Sequence, residues 1–439
     1  MKRILFLVLV GIVSLFLACQ PLQHSSSSSS SPEITILWAQ WSAADYLQEL
    51  SRQFTRETGI RVRVVQVHWD HFSESFFGRE IPCDLVGGDS QWLGRGVQEG
   101  YYTDLTRWIR ERAIDQEMQP MAMEGYAEYP RGSGRYWAVP LMGDAMGFAY
   151  RKDLFEDPAE QKAFRERYGY ELGVPRTWQQ LYDVAHFFYR PEKDFYGVNV
   201  WATPDYDGTT MGIQTLVWAW GGSLGDPETF QVNGILNVPV SVEALKMYKA
   251  LHALGHPDWY RAYVNETNSA FMQGKVAMVM SYFAFFPDLV DPAKNPFLGV
   301  TGFFANPAGP AGRFSSVGGQ GLSLVKWSKN KEAALEFMEW FTRKETQAQW
   351  ARLGGFPCHR EVLTSEEFLA AKPYNPALVE SMKILKDFWT VPEYNELLGI
   401  SRKYWNAYLF DEGVTAEEAM DRVAHEWENI FEAAGYYKE

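Results

Sequence analysis

Cysteine and histidine are scarce in this chain of 439 residues, with 3 and 8 copies respectively. Cys19 falls in the leading segment, which leaves Cys83 and Cys358 in the body. That excludes a disulfide-built scaffold and leaves open at most one bridge. The histidine pairs are weak metal sets: His68 and His71 only follow a strand-like run, and His252 and His256 straddle Gly255, which breaks the helix that would align them. Basic residues are outnumbered, 41 against 55 acids, for a net charge of −14. Nucleic acid and anionic membrane surfaces are therefore poor partners for the body. Three catalytic fingerprints are missing as well: there is no P-loop, no dinucleotide glycine pattern after a strand and no nucleophile elbow.

What the chain has in quantity is aromatic side chains, 15% of residues, with 17 Trp and 23 Tyr. Most serve a core, but such rings also suit a ligand that is part apolar face and part hydroxyl. Hydrophobic content of 46% and charged content of 22% describe a globular body, and the length predicts two lobes of about 150–250 residues. Ahead of that body, Lys2 and Arg3 precede the apolar run Ile4–Ala18, which reads as a signal-peptide core and is short for a spanning helix. Phe16-Leu17-Ala18-Cys19 resembles a bacterial lipobox, with Cys19 as the lipidated residue, and Ser25–Ser31 reads as a flexible tether. The expected division is 1–18 signal peptide and 19–32 lipidated cysteine and tether.

The body opens as strand, helix, strand. Glu33–Trp38 is β-branched, Asp45–Thr58 carries Leu47, Leu50 and Phe54 at helical spacing before Gly59, and Ile60–Val67 alternates. Short connections between such elements predict a parallel α/β lobe, whose ligands sit beyond the carboxyl ends of the strands. A third strand, Asp84–Gly88, leads into Asp89-Ser90-Gln91-Trp92. Tyr136–Phe155 reads as a buried strand interrupted at Gly143 and Gly147, with Asp144 as its one acid. Further on, helices are predicted at Ser241–Leu254, Ser269–Gln273 and Lys331–Arg343, and strands at Val276–Met280 and Gly299–Phe304. Thr177 and Thr415 are predicted N-caps, the latter with Glu418 completing a capping box.

Several phrases occur in a telling order: Gly100–Thr106, the Tyr136–Phe155 crossover, Pro175–Trp178, Phe271–Met278, the glycine-rich Ser316–Leu322 and Gly413–Met420. Together they resemble the extracellular solute-binding proteins (family 1) of ABC importers, in particular the sugar-binding branch, over about residues 33–435. The resemblance implies an α/β, two-lobed fold of the periplasmic-binding-protein type II, each lobe a mixed or parallel sheet flanked by helices and joined by a hinge. The lobes are expected at 33–143 plus 277–342 and at 144–276 plus 343–439. It also implies a non-enzymatic, monomeric, exported protein, lipid-anchored at a bacterial membrane. That protein would capture a carbohydrate in the interlobe cleft and deliver it to the transmembrane subunits of a permease, with no cofactor.

Candidate ligand contacts are side chains that combine ring faces with hydrogen-bonding groups near strand ends. Trp41, Trp69, Asp89 and Gln91 follow the first three strands; Asp144 is the lone charge of the crossover. Trp201 and Asp207 lie in the acid- and aromatic-rich loop Val200–Asp207, and Trp220 precedes Gly221 and Gly222. Tyr282, Gly319, Gln320 and Arg360 complete the set, the last as a clamp for hydroxyl or carboxylate. Two other readings stay open at this point. A non-sugar solute such as a polyamine, peptide or metal ion is one. The other is a glycoside hydrolase using Asp144 with Asp205 or Asp207, a chemistry that needs two carboxyls about 5–9.5 Å apart.

Overall fold

The computed structural model describes residues 32–386 and 388–437. The expected signal peptide, Cys19 and the serine tether through Ser31 lie outside the described residues. In chain order the strands are β1 (Glu33–Ala39), β2 (Arg61–Val67), β3 (Leu85–Asp89), β4 (Ala138–Met142), β5 (Met146–Arg151), β6 (Tyr196–Asn199), β7 (Val276–Tyr282), β8 (Thr301–Ala305), β9 (Ser315–Ser316), β10 (Gln320–Leu324) and β11 (Leu385–Lys386). They form a five-stranded sheet ordered β2-β1-β3-β10-β4, a four-stranded sheet ordered β6-β7-β5-β8, and a two-stranded pair of β9 and β11.

Register decides which ends of the strands face each other. In the first sheet β1 runs parallel to β2 and β3, while β10 runs antiparallel to both β3 and β4, pairing Gln320 with Asp89 and with Met142. One edge of that sheet therefore gathers the ends of β1, β2, β3 and β4 and the start of β10. In the second sheet β6 and β7 are parallel and β5 is antiparallel to β7 and β8, which brings Met146, Tyr282 and Ala305 to one edge. Between Met142 and Met146 the chain passes from the first sheet to the second, so these two edges face each other across the crossover.

Local sequence explains these elements. Strand β4 is buried at every position and β5 at all but Tyr150, as a strand covered on both faces requires. Helix Ser42–Thr58 buries Leu47, Leu50 and Phe54 and ends in the left-handed Gly59, φ 78°. The predicted caps form: Gln180 N–H donates to Thr177 Oγ1 at 3.1 Å, and Thr415 and Glu418 exchange both bonds of a capping box at 2.9 and 3.1 Å.

The expected lobe boundaries need correction. Strands β7 and β8, placed with the first lobe in the expectation 277–342, belong to the second sheet, because β7 pairs on one side with β5 and on the other with β6. Removing β7 to the other lobe would leave two ladders unpaired. The return to the first sheet comes after β8, through the loop and β9 into β10. Helix Lys344–Leu353, expected in the second lobe, packs on Ser42–Thr58 of the first. Helices Tyr394–Leu409 and Ala416–Ala434 pack against each other and on helices of the second lobe.

Cys83 and Cys358 are both buried free thiols. Cys83 precedes the start of β3, whereas Cys358 lies beside Gly143 at the opposite, carboxyl edge of the sheet, where a Cβ on Gly143 would stand 3.2 Å from its Sγ. A strand of this length separates those edges by about 17 Å, beyond any disulfide. Burial pushes the Cys83 thiol up to about 12, with the charge of Asp84 adding to it, and burial pushes Cys358 up as well.

Candidate functional site

At the facing edges, side chains from both lobes meet around Asp89. Its position at the end of β3 places it opposite Gln320, the first residue of β10. Trp38 Nε1 donates to Gln320 Oε1 at 2.7 Å, which fixes the amide so that Gln320 Nε2 donates to Asp89 Oδ1 at 2.6 Å. From the second lobe, Tyr206 OH donates to Asp89 Oδ2 at 2.6 Å. Gln91 Nε2 reaches Asp89 Oδ2 at 3.4 Å and also bonds the Tyr206 hydroxyl. The two lobes thus touch directly through an aspartate, a glutamine and a tyrosine.

The second lobe adds an aromatic wall. After β6, the loop carries Trp201 and then Tyr206, which holds a left-handed φ of 42° in the turn before helix Gly208–Ala219. Fully buried Trp201 contacts Tyr263 and Tyr282 at ring-centroid distances of 4.7 and 5.3 Å. Tyr263 OH donates to Asp207 Oδ1 at 3.1 Å, and Arg402, from helix Tyr394–Leu409, donates through Nη1 to the Tyr206 carbonyl at 3.2 Å. In the first lobe Trp41 and Trp69 pack edge to face at 5.5 Å, and Trp41 stands at the same distance from Trp38. An aromatic shelf therefore runs from Trp69 through Trp41 and Trp38 to Gln320 and Asp89.

Burial and like charge set the protonation of the acids. The carboxyl of Asp89 is raised by burial, against the opposing hydrogen bonds from Tyr206, Gln320 and Gln91. Asp207 is pushed up to about 7, first by burial and then by the charge of Asp89, with Tyr263 and Arg402 pulling the other way. The Tyr206, Tyr263 and Tyr282 phenols are held well above their ordinary value by burial and by nearby aspartates, so all three remain hydrogen-bond donors. Several buried atoms lack a partner here, among them Gln91 Oε1, Trp201 Nε1 and Arg402 Nε.

The structure brings together Asp89, Gln91, Trp201, Asp207, Tyr282 and Gln320 of the sequence candidates, with Trp41 and Trp69 on the adjoining shelf. Of the other four, Asp144 lies in the crossover and Gly319 directly before Gln320, while Trp220 and Arg360 lie elsewhere. Asp144 is a hinge residue: its Oδ1 accepts from the N–H groups of Ala145 and Ala284 at 2.8 and 3.1 Å, so its carboxylate serves the backbone. Gly319 faces the Tyr126 ring, where a Cβ would stand 2.1 Å from it, so the glycine makes room for that ring. Trp220 caps the far end of helix Gly208–Ala219, about 20 Å along its axis from Asp207. Arg360 begins the short helix Arg360–Leu363 and is exposed, with no side-chain hydrogen bond to the cluster. His252 and His256 also part company, the first bonding the Tyr260 carbonyl at 2.7 Å and the second Asp194 at 3.0 Å.

Tyr206, Tyr263, Trp38 and Arg402 were missed among the site residues. Tyr206 had a signal, since it sits between Asp205 and Asp207 in a proline-bearing loop. Tyr263 and Arg402 come from helical regions distant in sequence and carry no local mark.

A family model described as bacterial extracellular solute-binding protein matches residues 40–348. Among curated proteins, a putative binding protein of Brucella abortus (strain 2308) is 24% identical over 351 residues, covering 76% of this chain and 78% of its own. The mannitol-binding protein of Pseudomonas aeruginosa is 24% identical over 337 residues, with 73% and 72% covered. A solved ABC transporter solute-binding protein from Agrobacterium radiobacter K84, in complex with ribitol, superposes with a TM-score of 0.75 at 24% identity, covering 92% of this chain and 99% of the other.

Proposed function

The chain belongs to the bacterial extracellular solute-binding protein family, and we propose from that premise that it captures a carbohydrate in the cleft between its lobes and delivers it to an ABC permease. The carbohydrate is a mono- or oligosaccharide, a polyol or a glycoside. The observation that carries this reading is the meeting of Asp89, Gln91 and Gln320 from one lobe with Trp201, Tyr206, Asp207 and Tyr263 from the other. Carboxylates and amides matched to hydroxyls, beside ring faces matched to C–H faces, are what a sugar or polyol asks of a site. The mannitol and ribitol named for two relatives point the same way.

In the proposed cycle the Tyr206 hydroxyl leaves Asp89 as the lobes part, ligand takes its place, and closure recruits the second lobe. A ligand shifts that equilibrium only through differential affinity for the closed form, so it must touch both lobes. Asp89, Gln91 and Gln320 hold it from the first lobe, Trp201, Asp207, Tyr263 and Tyr282 from the second, with Trp41 and Trp69 as an outer shelf. Lipidation at Cys19, a monomeric body outside the cytoplasm and transport without chemical change to the ligand belong to the same proposal.

A thermal-shift screen of the full chain against sugars, polyols, amino acids, polyamines and divalent metals tests it. A ligand at 100 times its dissociation constant stabilises the folded form by about 2.7 kcal/mol. The expected result is stabilisation by a carbohydrate that is recovered unchanged. Stabilisation only by polyamines, amino acids or metals, or conversion of the sugar, would overturn it.

A further inference from the structure

The charged groups that meet in the cleft are weighted toward the negative, Asp89 and Asp207 against Arg402. The carboxylates of Asp89 and Asp207 both face it, and Gln91, only 3% exposed, holds its Oε1 there with no partner. Of the donors, Trp201 Nε1, on a fully buried ring, and Arg402 Nε have no partner, while four others are committed. Gln320 Nε2 and Gln91 Nε2 are given to Asp89, Tyr263 OH to Asp207, and Arg402 Nη1 to the Tyr206 carbonyl. What opens when the lobes part is the place on Asp89 Oδ2 now taken by the Tyr206 hydroxyl.

A sugar hydroxyl brings one donor but also lone pairs that need donors in return; a protonated primary amine brings three donors and no acceptor. The amine also brings the positive charge that two carboxylates beside a single guanidinium lack. The partly exposed Tyr263 ring, whose hydroxyl bonds Asp207, adds a face that attracts a cation. We propose that the cleft takes a sugar or polyol carrying a protonated primary amine, seated between Asp89 and Asp207 with one N–H directed to Gln91 Oε1. The proposal rests on the carbohydrate-binding reading above and narrows its ligand class.

Isothermal titration of the full chain at pH 7.5 against matched pairs tests it: glucosamine with glucose, galactosamine with galactose, and 1-amino-1-deoxysorbitol with sorbitol, each amine also in its N-acetylated form. In at least one pair the amine is expected to bind tenfold or more tightly than both its hydroxyl and its N-acetyl counterparts. Asp207→Asn should collapse that ratio toward one and Asp207→Glu should keep it, with thermal unfolding confirming that each variant folds; Asp89→Asn serves where Asp207→Asn does not. Equal or tighter binding of the hydroxyl or N-acetyl member in every pair would overturn this inference and leave carbohydrate binding standing. No binding by any carbohydrate would overturn both.

Discussion

The hinge and the cleft each hold a buried aspartate beside a tyrosine, and they use the pair in opposite ways. At the hinge, Tyr126 OH donates to the Asp144 carbonyl at 3.1 Å and accepts from the Asp144 N–H at 3.2 Å, while the Asp144 carboxylate takes the N–H of Ala145 in the crossover and of Ala284 in the second lobe. Each of these hydrogen bonds has a backbone group at one end. In the cleft, Tyr206 and Asp89 bond side chain to side chain across the lobes, and orphaned atoms remain beside them. Burial raises the carboxyls in both places. A perturbed acid is therefore not enough to mark a binding site; what separates the two is whether its partners are fixed backbone or side chains that another molecule can displace.

The sharpest way to test that contrast is to damage the hinge and look for a loss of stability without a change of ligand preference. Gly319→Ala drives a Cβ to 2.1 Å from the Tyr126 ring and 2.4 Å from the Met142 carbonyl. Overpacking of this kind costs about 3 kcal/mol, to be read as a lower denaturation midpoint, with the ranking of ligands by the folded fraction unchanged. Asp144→Ala comes next, at about 2 kcal/mol, because it strands two buried N–H donors. Asp144→Asn keeps an acceptor for both and removes a buried charge, so it should fall within about 1 kcal/mol of the parent protein. If Asn were as harmful as Ala, the negative charge itself would be needed at the hinge.

The same contrast explains how much could be read before the structure. Strand and helix periodicity, glycine stops and caps were local, so β1 through β5 and the crossover at Gly143–Ala145 were legible. Asp89 and Gln91 were candidates from the rule that ligands sit beyond carboxyl ends, and Gln320 from the glycine-rich phrase Ser316–Leu322. Lobe membership of β7 and β8 was not legible, because pairing partners are chosen by the whole sheet and leave no mark in the strand's own residues. Asp144 shows the same limit: a lone acid in an apolar run must be satisfied, but its own sequence does not say by whom. Tyr263 and Arg402 reach the cluster only through tertiary packing.

On the cleft side, Tyr206→Phe removes the hydroxyl that joins the lobes through Asp89. A hydrogen bond to a charged group contributes about 1.5 kcal/mol at the low end, so the ligand-free protein should shift roughly tenfold toward an open form, seen as a larger radius of gyration in solution scattering and reversed by ligand. An unchanged radius would mean that other contacts hold the lobes together. The pH dependence of Asp207 is a smaller effect. Its folded pKa of about 7 lies above the ordinary carboxylate value, so the folded state binds the extra proton and stability falls as pH rises toward and through 7. Facing Asp89, Tyr263 and Arg402, this group should account for about 1 kcal/mol between pH 6 and 7, and the parent protein should lose that much relative to Asp207→Asn.

The smallest expected effects test the residues placed outside the site. Arg360 is exposed and Trp220 sits at the far end of its helix, so Arg360→Ala and Trp220→Phe should each stay within about 0.5 kcal/mol of the parent in stability and within twofold in affinity for a small ligand. The two variants separate when the ligand is lengthened. Helix Gly208–Ala219 carries Trp220 about 20 Å from Asp207, a distance that a monosaccharide or polyol cannot cover but a chain of several sugar rings can. A loss of affinity in Trp220→Phe that appears only with long oligosaccharides would extend the cleft along that helix, whereas a loss with a single sugar would mean that the cluster around Asp89 is not where the ligand sits.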